Sequence, residues 1–173
     1  MTHTRTIYTI GYEGTDVSRF LKTLQIVGIG LLVDVRAVPI SRKKGFSKRA
    51  LQGILDESGI EYIHLAALGD PKEGRQAARA GRFAEFRHIY SEHITRPASQ
   101  NALGSVAELA EGADVCLMCF ERDPRHCHRT IVMENLKRYN FKQFDLFADF
   151  PERYVQHSHF LPGRNSGQGA TAA

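Results

Sequence analysis

Leu31-Leu32-Val33-Asp34-Val35 decides the fold. The run is apolar at every position but Asp34 and too short for a helix. Gly28 and Gly30 precede it and Pro39 ends it. A strand without polar alternation is covered on both faces, which is the habit of parallel sheets. Asp114 to Phe120 repeats the pattern, while Thr6 to Ile10 and Ile60 to Leu65 are β-prone and bounded by turn residues.

Helical spacing fills the intervals. Val17, Phe20, Leu21 and Leu24 fall at i, i+3, i+4 and i+7, with Thr15 or Asp16 as cap. Ser47 can cap a helix carrying Leu51, Ile54 and Leu55. Phe83, Phe86 and Tyr90 form an apolar stripe assigned to the core, and Pro97 ends that helix. Ser99 can cap the next, which carries Val106, Leu109 and Ala110. Thr130 to Tyr139 reads as the last helix, and Phe144 to Phe150 and Tyr154 to His159 as short strands. Strands alternating with helices predict one α/β domain over residues 1–160, with a mostly parallel, Rossmann-like central sheet flanked by helices. Residues 161–173, small and polar from Gly163 onward, read as a disordered tail.

The 173 residues suit one compact core. No apolar run can cross a membrane and no signal region opens the chain, so the reading is a soluble, cytoplasmic protein with no membrane partner. Net charge is +4, too mild to prove a nucleic-acid partner. Five basic residues nevertheless stand within eight positions, Arg42, Lys43, Lys44, Lys48 and Arg49.

Parallel sheets bind ligands beyond the carboxyl ends of their strands. The polar residues expected there are Tyr12 and Glu13, Arg36, Ser41 and Arg42, His64, Cys119 and Glu121, and Cys127-His128-Arg129. Residues 119–129 are the densest segment. Amides at a helix start attract anions, and Arg36, Arg125 and Arg129 can add charge-assisted contacts. Such a field also acidifies a thiol, while His128 can move protons. The expected site therefore takes Cys119, Cys127, His128, Glu121 and Glu13 as catalytic groups. Arg36, Ser41, Arg42, Arg129 and Tyr12 hold an anion.

Three cysteines, an odd number, suggest no disulfide framework. No metal site is assigned: Cys116 and Cys119 point to opposite faces of a strand, although Cys119, Cys127 and His128 alone remain geometrically possible as ligands. Phe120 occupies the histidine position that c-type haem attachment requires. Cys119 and Arg125 fit the Cys-x5-Arg skeleton of thiol phosphatases, but Glu121 and Asp123 repel phosphate and Pro124 lacks an amide proton. Gly28-Ile-Gly30 precedes a strand, so it is no dinucleotide fingerprint, and no Walker loop is present. In the basic loop, Gly45-Phe46 can stack a base while Lys43, Lys44, Lys48 and Arg49 grip a phosphate backbone. Against this stands a solvated loop with Phe46 tucked onto the core. His88 and His93 read as solvent-facing, and His157 and His159 as chance neighbours on one strand face.

Several motifs together carry a resemblance. They are Tyr8-Thr-Ile-Gly-Tyr-Glu-Gly14, Leu32-Val-Asp-Val-Arg36 with Pro39 and Ser41-Arg42, and Gly45-Phe-Ser-Lys48. Gly59-Ile-Glu-Tyr-Ile-His-Leu65, Leu68-Gly69, Leu117-Met-Cys-Phe-Glu121 and Cys127-His-Arg129 follow in order. Over about residues 7 to 140 the chain resembles the prokaryotic family called domain of unknown function 488. The resemblance implies an α/β fold and motif positions at Gly11, Tyr12, Glu13, Asp34, Arg36, Ser41, Arg42, Cys119, Glu121, Cys127, His128 and Arg129. It implies no substrate or cofactor. Val33-Asp-Val-Arg36 is also similar to the rhodanese sulfur-transfer domains, at the level of fold alone.

Three functions fit. The first is a small enzyme acting on a phosphate-bearing substrate, a nucleotide or nucleic acid. The second is a DNA- or RNA-binding module using residues 42–49, and the third a thiol, metal or haem-based sensor.

Overall fold

A computed structural model describes residues 4–162. Five strands, β1 (Arg5–Gly11), β2 (Leu31–Asp34), β3 (Glu61–His64), β4 (Val115–Cys119) and β5 (Phe141–Phe147), form one sheet in the order β3-β2-β4-β1-β5. Every neighbouring pair is parallel. The described helices are α1 (Val17–Val27), α2 (Lys48–Glu57), α3 (Lys72–Arg79), α4 (Phe83–His93), α5 (Pro97–Gly112), α6 (His128–Leu136) and α7 (Arg153–Gln156). None among the described residues is long and apolar enough to cross a membrane.

Alternation along the strands sorts the core into two layers. Ile7, Leu31, Val33, Val115 and Leu117 meet Tyr90, Leu103, Val106 and Val132 from α4, α5 and α6. On the opposite face Ile10, Leu32, Cys116 and Met118 meet Phe20, Leu24, Leu51 and Leu55 from α1 and α2. Asp16 starts α1 by accepting the Arg19 amide at 2.8 Å, and Gly28, in the left-handed region, stops it.

This layering also places the site. From β1 and β2 the chain turns toward the β3 edge through α1 and α2. From β4 it turns the other way through α6, on the opposite face. The carboxyl ends of β1, β2 and β4 therefore surround the switch point where such sheets open a crevice.

Some local expectations are corrected. Tyr154 to His159 is α7 followed by a 3-10 turn at Ser158–Phe160, and the last strand begins at Phe141 rather than Phe144. Pro97 opens α5 instead of ending α4, because its missing amide costs nothing in a first turn. The Ser99 hydroxyl donates to the Ala67 and His93 carbonyls rather than capping. Ser47 precedes α2, but its hydroxyl donates to the Ser41 carbonyl, so it makes no cap bond. Helix α6 starts at His128, two residues early. Phe86 and Tyr90 are core residues as expected, whereas Phe83 is exposed. His93 is half-buried, its Nε2 bonded to the Ala67 carbonyl at 3.0 Å, while His88 is exposed. Leu161 packs on the second core layer, so order extends past residue 160. The remaining expectation of a disordered tail, on 163–173, lies outside the described residues.

Candidate functional site

A cleft of about 910 Å³ opens beyond the carboxyl ends of β1, β2 and β4. Strand order creates its floor, because β1 and β4 are neighbours and Gly11 pairs with Cys119. Glu13 continues that ladder by donating its amide to the Phe120 carbonyl at 2.8 Å. Tyr12, Glu13, Cys119 and Glu121 thus stand side by side along the cleft.

Cys119 ends β4 with its sulfur 3.0 Å from Glu121 Oε2. Burial holds the Glu121 carboxyl above the ordinary range, against the opposing pull of His128. Cys127, just ahead of α6, turns its sulfur back onto Cys119, and the two form a disulfide pair with Cα atoms 7.5 Å apart. This corrects the expectation of free thiols: the seven residues 120–126 of loop and turn return the chain to its starting point. Cys116 stays free and buried in β4, its thiol pushed up by burial.

His128 opens α6. Its Nε2 donates to the Val35 carbonyl at 2.7 Å, and its Nδ1 lies 3.8 Å from the Cys127 sulfur. Cys119, Cys127 and His128 bring their ligand atoms within 4.8 Å of one another.

Arg129 lies beneath the cleft rather than on its wall. It is fully buried, and its guanidinium donates to Thr9 Oγ1, the Cys119 sulfur and the carbonyls of Glu121 and Arg122. Burial lowers its pKa, while Asp145 and Glu121 support its charge. Its donors hold the 119–122 loop in shape. Gly11 explains how closely that loop approaches, because a Cβ there would stand 1.8 Å from the Glu121 carbonyl oxygen.

Arg36 leaves β2 and forks onto Asp34, while NH1 donates to Tyr12 Oη and the Phe46 carbonyl. Burial opposes its charge, but the Asp34 carboxylate prevails and holds it protonated. Tyr12 stacks on Phe46 at 4.4 Å, so Phe46 is indeed tucked onto the core. Of the basic loop, Arg42 reaches the cleft. Lys43 donates to the Tyr12 carbonyl, and the Ser41 hydroxyl accepts the Lys43 amide, so both shape the loop. Lys44, Lys48 and Arg49 are exposed away from the cleft. Half-buried His64 bonds the Arg36 carbonyl at 2.7 Å, and exposed Arg125 pairs with half-buried Asp123. Glu13 accepts the Arg122 amide at 2.9 Å.

The opposite wall is a feature that the sequence reading missed. Helix α3 turns Lys72, Arg75 and Arg79 toward the cleft, with Arg75 anchored on Asp70. Their spacing at i, i+3 and i+7 is a helical face and was visible in the sequence. Phe83 stacks on His126 at 4.5 Å, and both line the rim. Phe120, Val38 and Ile40 add exposed apolar surface.

Fold and cleft together define a doubly wound α/β protein with sulfur, imidazole and carboxylate groups at the switch point and cationic side chains around them. The chain belongs to the family described as Domain of unknown function DUF488, which matches residues 16–136, more than half of its length. No curated protein and no solved structure matches it significantly.

Proposed function

We propose that the chain is an enzyme acting on a small phosphate-bearing substrate in this cleft, with a nucleotide as the best-fitting class. The observation that carries the reading is that Cys119, Glu121 and His128 share one cleft with Arg42, Lys72 and Arg79. A phosphate fits the cationic walls, where ion-assisted hydrogen bonds are strong. The apolar rim of Phe83 and Phe120 suits a planar base. Cys119, with Cys127 and His128 behind it, supplies the reacting group, and Glu121 the adjacent proton carrier. Glu13 fixes the neighbouring loop through the Arg122 amide.

Alkylation tests the reading. In reduced, chelator-treated protein, iodoacetamide should modify Cys119, and inorganic phosphate or a nucleoside monophosphate should slow that reaction several-fold. Modification at the same rate with either anion present overturns it.

Exposed Lys44, Lys48 and Arg49 favour a second reading, a nucleic-acid-binding module. Neutralising about three phosphates would give a log-log salt slope near roughly −2.7 on duplex DNA. Affinity independent of salt removes this reading.

A further inference from the structure

We infer that, in the reduced protein, Cys119, Cys127 and His128 form a three-ligand site for a zinc-like divalent cation. The donor set is right for such an ion, two thiolates and one neutral imidazole. Their ligand atoms already lie within 4.8 Å of one another. A tetrahedral zinc ion, with bonds of about 2.3 Å to sulfur and about 2.0 Å to nitrogen, spreads its ligands over roughly 3.5–3.8 Å.

The surroundings are those of a metal site. A ligating histidine usually donates its second nitrogen to a carbonyl or carboxylate, which fixes the ring and leaves the other lone pair for the metal. His128 does this with the Val35 carbonyl, and its Nδ1 faces the Cys127 sulfur at 3.8 Å. Both sulfurs accept hydrogen bonds from one residue: Arg129 gives its amide to Cys127 at 3.5 Å and NH1 to Cys119 at 3.1 Å. Such donors stabilise thiolate over thiol.

The backbone spacing points the same way. The Cα atoms of Cys119 and Cys127 stand 7.5 Å apart, wider than the roughly 5.5–6 Å usual for a disulfide, and an ion between the sulfurs suits that wider spacing. Oxidation to the disulfide and metal binding are therefore mutually exclusive states of the same two sulfurs. In the oxidising direction the two thiolates give two electrons to a small-molecule disulfide, which takes up two protons and leaves as two thiols, and the ion is released.

Three protein ligands leave a fourth position, which is the pattern of catalytic rather than structural zinc. Cys119 and His128 both line the cleft, so that position faces it, with Glu121 beside it. Only this orientation toward substrate rests on the proposed function. The ion site itself stands without it.

Cobalt(II) titration of the full, reduced, chelator-treated chain is the test. One cobalt per chain should bind, with sulfur-to-metal charge transfer in the near ultraviolet and the intense visible bands of tetrahedral cobalt. Zinc should displace it and shield both Cys119 and Cys127 from alkylation. Cys119→Ser and His128→Gln should weaken binding more than about a hundredfold, while Cys116→Ser, on the same strand outside the cluster, should leave it unchanged. Absence of sulfur charge transfer in the folded, reduced wild type overturns the inference without recourse to any variant. So does unaltered cobalt affinity in folded Cys119→Ser. Cobalt bands without phosphate protection would remove the substrate reading alone, and protection without cobalt bands would remove the metal site alone.

Discussion

Arg36 and Asp34 face each other as a fork at the end of β2, with Nε 2.9 Å from Oδ1 and NH2 2.7 Å from Oδ2. Both are buried, and Tyr62 donates to the same carboxylate at 2.6 Å. The pair ties the strand end to Tyr12 and Phe46, and through them to the wall of the cleft. Asp34→Asn keeps the shape but removes the counter-charge of a buried guanidinium, and should cost about 3–5 kcal/mol of unfolding free energy. Urea denaturation measures it. A loss below about 1 kcal/mol would mean that water reaches Arg36 in solution.

Gly11 has no room for a side chain against the Glu121 carbonyl. Gly11→Ala should displace the 119–122 loop, cost about 1–3 kcal/mol and abolish anion protection of Cys119. Gly30 is the control, since a Cβ there meets nothing within 4 Å and the change to Ala should stay within about 0.5 kcal/mol. Equal effects at both positions would contradict the close approach.

The parts of this arrangement visible in sequence are those set by local patterning. Apolar runs revealed β1, β2, β3 and β4, but not the fork, because Arg36 lies beyond the end of β2, where strand alternation no longer fixes the face. Helix α3 escaped because Lys72–Arg79 buries only Gly74 and Ala77, which gives no apolar stripe to read. The meeting of Cys119 and Cys127 depends on the return path of the 120–126 loop, and the approach of Glu13 to Cys119 on β1 lying beside β4. Neither is encoded in spacing. Arg129 shows the converse problem: a charged residue at a helix start looks like an anion ligand, and only the packing reveals that protein carbonyls use its donors.

Two buried phenols make the fold sensitive to alkali. Burial pushes up both Tyr62 and Tyr90, with Asp34 adding to Tyr62 and Asp70 to Tyr90. An unfolded tyrosine ionises near about pH 10, whereas these stay neutral in the folded chain. Their contribution is therefore complete below that pH and lost as pH rises toward the folded values. Urea midpoints between about pH 8 and pH 11 should fall more steeply in the wild type than in Tyr62→Phe. Parallel slopes would show that Tyr62 does not contribute.

Arg129 bridges two carbonyls, a hydroxyl and a sulfur with a planar fork that an ammonium group cannot reproduce. Arg129→Lys should lower stability by on the order of 3 kcal/mol, because buried carbonyls lose their donors. Thermal unfolding should show it directly. An unchanged melting temperature would place the loop under the control of other contacts.

The two cationic surfaces separate the functional readings. Lys72 and Arg79 are exposed on the cleft side of α3, so replacing either with Ala should leave the melting temperature within about a degree or two. Each should weaken nucleoside monophosphate binding roughly tenfold, the worth of one charge-assisted contact. Replacing Lys44, Lys48 and Arg49 together should not affect it, because they lie away from the cleft. Calorimetric titration of the three proteins decides the matter. If the loop variant alone loses affinity, the phosphate is held outside the cleft and the cluster around Cys119 does not act on it.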